Sequence, residues 1–466
     1  MEFYGHIIAR LDGKEIKENF DRYRDLVNRG IAGFIVFGGD LEDMRRHIHK
    51  LQEAAGIPLI IASDLEQGVG QQVTGGTLFP PAMALARAVD TTMHGDLDLI
   101  KDVFTAYGDE ALYAGINTIL APVVDINTNP HNPIISARSF GEDKETVSSL
   151  SGLMIETLQS NGVVACAKHF PGHGNTGIDS HISLPVLHKD MNDLEETELH
   201  PFRRSVEKGV QTIMLGHISV PSIDPEGTPV SVSGNAVKYI RKTLGFDGLL
   251  MTDALNMGGL SSIGQNEAGA MALNAGVDIL LHPDDPDELN AYLQKNKVKS
   301  DTKRVERLKK TLKKETVHVP DFKKNNELAQ YVTERAITLE GVAGELIFSS
   351  VIIIKDDEGL SYGIFERFIR EKYSGLKIFE IKDGDTLVEE DVGYNLLTVI
   401  FSTTAAWKGN LPEWFSDTVD NVKGKTQLFI VFGNPYVVHD IRKPKMLTYW
   451  CSEQAEKAMV KIMRNV

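Results

Sequence analysis

Within fourteen consecutive residues, Lys168 to His181, the chain places one lysine, three histidines (His169, His173, His181) and Asp179. Gly172, Gly174 and Gly177 keep that stretch from regular structure. It follows Gly162-Val163-Val164-Ala165-Cys166-Ala167, which reads as a buried strand. Ionisable groups carried from the end of a buried strand onto a glycine-rich loop point to a catalytic site. A passive solvated loop has no use for three imidazoles. Asp179 and His181 stand two apart, and an aspartate that holds an imidazole tautomer makes the histidine a better-aimed proton donor and acceptor. Asp253 directly follows the apolar run Leu249 to Thr252. A lone carboxylate there suits an electrostatic stabiliser, a metal ligand, a nucleophile or a cap for the next helix. A proton shuttle with a separate carboxylate nucleophile is the minimum equipment for two-step displacement at an anomeric carbon.

Those residues need a frame that brings distant segments together. Short apolar runs recur at Phe3–Ala9, Ala32–Phe37, Ile57–Ala62, Ile116–Val124, Val163–His169, Gln211–Ile218, Gly248–Thr252 and Val277–Leu281. Several carry Val and Ile on both faces, as parallel-sheet strands do. Amphipathic stretches such as Asp40–Ala55, Leu99–Ala114, Lys144–Asn161 and Leu194–Lys208 separate them and read as helices. Eight strands with intervening helices predict a (β/α)8 TIM-like barrel, whose active sites lie at the carboxyl ends of the strands. Six of the eight runs end in a charged or imidazole side chain: Asp64, Asp125, Lys168 with His169, His217, Asp253 and His282. Chance placement would scatter such residues along the strands.

After about residue 286 the composition changes, with Lys309-Lys310 and Lys313-Lys314-Glu315 reading as helix and linker with a solvated charged face. Further apolar runs at Ser350–Ile354, Leu396–Phe401 and Gln427–Phe432, with helices at Ile364–Tyr373 and Glu453–Met463, predict a smaller α/β domain of the three-layer sandwich kind. The expected division is 1–300 for the barrel, 301–325 for the charged helix and linker, and 326–466 for the second domain. The turn Gly433-Asn434-Pro435 concentrates no chemistry.

The 466 residues are too many for one ordinary core, which fits that division. A formal net charge of −16 disfavours nucleic acid and anionic membrane surfaces as partners. No window approaches the roughly 18 consecutive apolar residues of a membrane span. Only Cys166 and Cys451 are present, which fits a reducing compartment. With no secretory pattern at the N-terminus, a cytoplasmic location is expected.

The stretch from Lys168 to His181 continues into Ile182-Ser183-Leu184-Pro185. Together with Asp64-Leu65-Glu66-Gln67-Gly68, Ala121 to Asn127, Arg138-Ser139-Phe140-Gly141-Glu142-Asp143 and Met251-Thr252-Asp253, it resembles glycoside hydrolase family 3, in its β-N-acetylglucosaminidase branch. The resemblance runs in order over roughly residues 1–285, with a fainter echo at Phe432-Gly433-Asn434-Pro435. It implies a retaining enzyme acting on a small carbohydrate, without metal or cofactor. By the resemblance, Asp253 attacks the anomeric carbon, His181 is the general acid/base and Asp179 its partner. Asp64, Arg138, Lys168 and His169 match positions that bind the sugar. His173 has no role by analogy beyond ordering the loop.

A histidine acid/base avoids a further carboxylate beside Asp253 and does not repel an incoming anion, so phosphorolysis stands beside hydrolysis. Where enzymes that trim cell-wall fragments usually carry two arginines after the Asp64 position, this chain has Val69 and Gln72. Arginine is the natural clamp for a carboxylate, so neutral N-acetylglucosamine disaccharides are favoured. Two rivals differ in class. His169, His173, His181, His217, His282 and Asp253 could serve a metal-dependent barrel hydrolase, although Lys168 would place a cation inside it. A binding protein that had lost turnover would not need both Asp253 and the Asp179–His181 pair.

Overall fold

The computed structural model describes residues 2–312, 318–344, 346–356, 363–383, 385, 392–403 and 411–464. Eight strands form the first sheet: β1 (Ile7–Asp12), β2 (Gly33–Phe37), β3 (Ile60–Ser63), β4 (Thr118–Ile119), β5 (Val164–Phe170), β6 (Thr212–Leu215), β7 (Leu249–Thr252) and β8 (Leu280–Leu281). They run parallel in the order β7-β6-β5-β4-β3-β2-β1-β8, and a parallel bridge between Met251 and Ile279 joins the two ends. The result is a (β/α)8 barrel with helices on its outside. Inward side chains, including Ile8, Ile60, Ala62, Leu120, Cys166, Met214, Met251 and Ile279, fill its interior.

Several apolar runs outlast the strands they contain. Tyr4–His6 is a 3-10 turn ahead of β1, and Ile116–Val124 contributes only Thr118–Ile119. The rest of that run is equally buried and keeps bonding to β5 through Ala121, Pro122 and Val124 on its way to the site. The predicted helix Leu194–Lys208 is two helices, Met191–Glu196 and Leu199–Glu207. Pro201 explains the break, because its ring excludes the carbonyl four residues back. That residue is Thr197, which takes a non-helical conformation.

The charged segment after residue 300 does more than face solvent. Helix Lys303–Lys309 inserts Val305 and Leu308 into the barrel's interior cluster, while Arg304 and Arg307 pair with Asp247 just before β7. It therefore plugs the amino end of the barrel and leaves the carboxyl end for chemistry. Lys313-Lys314-Glu315 lie outside the described residues.

The second sheet contains β9 (Thr338–Glu340), β10 (Ser350–Lys355), β11 (Lys377–Ile381), β12 (Leu396–Ser402), β13 (Thr426–Gly433) and β14 (Lys445–Leu447), in the order β11-β10-β12-β13-β14-β9. All pairs are parallel except β14 with β9. Alternate residues of β10, β12 and β13 enter two different apolar clusters, so helices cover both faces and the domain has three layers. Helix Phe322–Ala336 is shared: it packs on Glu453–Met463 and also on the barrel, where Asn325 reaches Glu110 and Arg335 reaches Asp96. The Gly433-Asn434-Pro435 turn meets the loop after β4, through Ser136 Oγ to Asn434 Oδ1 at 3.1 Å and Tyr436 OH to Glu142 Oε1 at 2.7 Å. A cavity of about 840 Å³ lies between those segments, lined in part by His131, Asn132, Gly177, Phe415, Tyr436 and His439.

Candidate active site

Each residue singled out for chemistry sits at or beyond the carboxyl end of a barrel strand. Asp64 follows β3, Lys168 and His169 are in the last turn of β5, and Asp253 follows β7. Arg138 ends a 3-10 turn in the loop after β4, and Asp179 and His181 belong to the loop after β5. The strands place their own terminal residues firmly. The loops need further bonds.

Lys168 is 2% exposed. Its ammonium lies 2.6 Å from Asp64 Oδ1 and 2.7 Å from Glu66 Oε1. Glu66 is also gripped by Arg138, with Nε to Oε2 at 2.9 Å and Nη2 to Oε1 at 2.8 Å. Two cations and two carboxylates thus form an electrically neutral quartet, buried at Lys168 and Glu66 and open to the cleft at Asp64 and Arg138. Burial disfavours the Glu66 carboxylate, yet Arg138 and Lys168 outweigh it and hold its pKa far below the usual range. Asp64, with its side chain 29% exposed, is the most open of the four and presents an oxygen to the cleft.

Asp125, fully buried at the end of the run beyond β4, organises His169 of β5 and His173 in the loop beyond it. Its Oδ2 is 2.8 Å from His169 Nδ1, and its Oδ1 accepts the backbone N–H of His173 at 2.7 Å. A carboxylate only accepts, so His169 carries its proton on Nδ1 and offers Nε2 to the cleft. Gly174 allows this packing, because a Cβ there would stand 1.9 Å from the Ile126 carbonyl oxygen.

Asp179 and His181 do form a pair: Asp179 Oδ1 accepts the His181 backbone N–H at 2.8 Å and faces Nδ1 at 2.9 Å. The same argument places a proton on Nδ1 and leaves Nε2 as the exchangeable nitrogen. The loop is docked against the segment that follows Asp253. Gly258 N donates to His181 O at 3.1 Å, and Gly259 N donates to Ser180 O at 2.8 Å. At Gly258 a Cβ would lie 2.6 Å from the carbonyl oxygens of both His181 and Ile182. Only glycine permits that approach.

Asp253 hangs from the barrel by its own N–H, bonded to Leu215 O at 2.9 Å, and its Oδ1 accepts from Ala254 N at 2.8 Å. Burial opposes its ionisation, but His169, His217 and His181 around it more than compensate, so its pKa falls below the ordinary value. His217 braces this corner. Its Nε2 lies 2.9 Å from Ala254 O and must donate, which leaves Nδ1 to accept from Ser231 Oγ at 2.7 Å. Burial pushes its pKa down against the pull of the Asp253 carboxylate.

Glu66, Asp125, His217 and the Gly258-Gly259 pair carry much of this geometry, and the sequence reading gave them no part in the sugar chemistry. Glu66 and Asp125 lay within the quoted motifs, and His217 closes a strand. Nothing local marked the two glycines. The histidines that a metal centre would recruit are instead committed one by one to protein partners, His169 to Asp125 and His217 to Ser231 and Ala254. Among the described residues, no three of His, Cys, Asp and Glu assemble as a ligand set.

A plugged parallel barrel whose carboxylates, cations and imidazoles gather at its open end has the architecture of a barrel enzyme. The chain belongs to glycosyl hydrolase family 3, whose N-terminal domain model matches residues 7–318. It is 28% identical over 384 residues to a β-N-acetylglucosaminidase/β-glucosidase of Cellulomonas fimi, covering 78% of this chain and 65% of that protein. A β-hexosaminidase of Nitrosomonas eutropha is 31% identical over 328 residues, 68% of this chain and 91% of that one. Among solved structures, a family 3 β-N-acetylglucosaminidase from Paenibacillus sp. FPU-7 superposes with a TM-score of 0.80 at 26% identity, covering 99% of this chain and 96% of the other. No helix among the described residues is long and apolar enough to cross a membrane.

Proposed function

We propose that this chain is a retaining β-N-acetylglucosaminidase that releases terminal β-linked N-acetylglucosamine from small, neutral oligosaccharides such as chitobiose. The observation that carries the reading is the docking of the Asp179–His181 pair onto the loop of an ionised Asp253. A nucleophile and a proton carrier then flank one space. Asp253 Oδ1 is occupied by Ala254 N–H, so Oδ2 is the oxygen that attacks the anomeric carbon. The bond from that carbon to the leaving oxygen breaks, and His181 Nε2 supplies the proton to the departing alcohol. In the second half, His181 removes a proton from water, the water oxygen joins the anomeric carbon, and Asp253 regains its carboxylate. Asp64, Lys168, Arg138 and His169 hold the sugar hydroxyls through the charge quartet and the free Nε2.

The names of the relatives support the substrate class, and the uncharged acid/base after proton transfer also suits phosphate as an acceptor. One experiment separates these outcomes: chitobiose turnover followed by NMR, with and without phosphate. The reducing end of chitobiose is already an anomeric mixture, so the anomer is read on p-nitrophenyl N-acetylglucosaminide, where retention predicts β-configured N-acetylglucosamine as the first product. A glycosyl phosphate formed from chitobiose only with phosphate would make the protein a phosphorylase. An α-configured first product from the aryl glycoside would refute retention, and no turnover of either substrate would favour a binding protein.

A further inference from the structure

The scheme above leaves His173 without a task, although it is only 1% exposed at the centre of the catalytic loop. Its ring lies between two hydroxyls, with Nδ1 2.5 Å from Thr176 Oγ1 and Nε2 2.9 Å from Ser180 Oγ. The direction of these bonds follows from proton counting. The Thr176 hydroxyl hydrogen goes to the His173 carbonyl at 2.9 Å, so Thr176 Oγ1 must accept from Nδ1–H. Nε2 is then left with a lone pair, and the Ser180 hydroxyl donates to it. Burial pushes the imidazole pKa down to about 4, which keeps this single-proton form in place at neutral pH.

Ser180 stands between Asp179 and His181 and is held at two points. Its side chain bonds His173, and its carbonyl accepts from Gly259 N at 2.8 Å, on the loop that follows Asp253. His173 is anchored in turn by its N–H on Asp125 Oδ1, and Asn132 Nδ2 clamps the carbonyls of His173 and Thr176 at 2.8 and 3.0 Å. A continuous chain therefore runs from Asp125, which also orients His169, through His173 and Ser180 to His181.

We propose that His173 is a positioning residue that, through the Ser180 hydroxyl, sets where the His181 imidazole stands relative to Asp253. The inference rests on reading His181 as the acid/base. The Asp179 bond fixes the ring's tautomer, while the Ser180 tether fixes where the pair stands. Loss of the tether leaves the carboxylate attack intact and misplaces the proton.

The test compares His173→Leu, His173→Gln and Ser180→Ala on chitobiose and on 2,4-dinitrophenyl N-acetylglucosaminide, whose leaving group needs no proton. His173→Leu and Ser180→Ala are expected to lower kcat/KM on chitobiose at least 50-fold and on the dinitrophenyl substrate less than 5-fold. Azide should restore kcat on the dinitrophenyl substrate. It attacks the anomeric carbon of the glycosyl-Asp253 ester, frees the carboxylate and needs no general base. His173→Gln offers an acceptor oxygen near the Nε2 position and should recover at least tenfold over His173→Leu on chitobiose. The double variant His173→Leu/Ser180→Ala should be no worse than either single one, because both remove the same bond. Equal losses on the two substrates without azide rescue would overturn the proposal and leave His173 a structural residue. If His173→Leu does not fold, Ser180→Ala removes the tether while keeping the buried ring and decides the matter alone. His181→Ala serves as the reference. Absence of the substrate split in His181→Ala would remove the acid/base reading itself, whereas its presence there and absence in Ser180→Ala would remove only this inference.

Discussion

Replacement of Glu66 by glutamine tests whether the charge quartet holds the sugar-binding end of the site together. Glu66 receives two bonds from Arg138, at 2.9 and 2.8 Å, and one from Lys168 at 2.7 Å, while Asp64 takes a second Lys168 contact at 2.6 Å. The quartet is neutral, so Glu66→Gln leaves one surplus positive charge beside the buried Lys168 ammonium. Removing one partner of a buried ion pair costs about 3–5 kcal/mol. Glutamine keeps one acceptor oxygen but turns its NH2 toward a cation, so the expected loss is near the lower end, about 3 kcal/mol. Urea denaturation of both proteins reads that difference at pH 7. The pH dependence has a definite sign. The folded-state pKa of Glu66 is depressed, so its contribution is complete above the unfolded value of about 4.3 and fades as pH falls below it. The gap between wild type and variant should therefore narrow below about pH 4, by roughly 1.4 kcal/mol per pH unit. A loss under about 1 kcal/mol at pH 7, or a gap that stays constant down to pH 3, would refute the reasoning.

Three other variants address the proton and the docking. His181→Ala should reduce kcat/KM on chitobiose by about 10²–10⁴-fold while sparing aryl glycosides with good leaving groups; equal losses in a leaving-group series would exclude His181 as the acid. Asp179→Asn can turn an NH2 toward His181 Nδ1, so the ring loses its fixed tautomer, and kcat/KM on chitobiose should fall roughly tenfold or more while aryl glycosides with good leaving groups are spared. An unchanged rate on chitobiose would count against the pair. Gly258→Val forces a side chain against the His181 and Ile182 carbonyls, now 2.6 Å from where its Cβ would stand, and should displace the loop. A thermal midpoint close to wild type with at least a tenfold drop on chitobiose is the expected result, and full activity would show that this docking is dispensable.

The barrel was legible because buried parallel strands are apolar on both faces and end abruptly in polar residues, as β3, β5 and β7 do at Asp64, Lys168-His169 and Asp253. β4 was harder to bound, since the chain beyond Ile119 stays buried and still bonds to β5 after the regular strand ends. In the second domain the central strands β10, β12 and β13 stood out, whereas β9 and β11 did not. Those edge strands are partly exposed and carry polar side chains, so they lack the apolar signal. The charged stretch near residue 305 concealed Val305 and Leu308, two apolar residues one helical turn apart that plug the barrel. At the site, residue types pointed to Asp253, Asp179 and His181. Glu66, His217 and the Gly258-Gly259 pair act through contacts with residues far away in sequence, which spacing along one segment does not encode.

The central claim is that Asp253 bonds covalently to the sugar. The direct measurement is incubation with 5-fluoro-N-acetyl-β-glucosaminyl fluoride, whose fluorine slows breakdown of the intermediate, followed by digestion and mass spectrometry of the peptides. The account predicts one added fluorosugar per chain, carried by Asp253 and absent from Asp253→Ala, which should also lose turnover while melting like wild type. A label on another side chain, or substantial hydrolysis by Asp253→Ala, would contradict it.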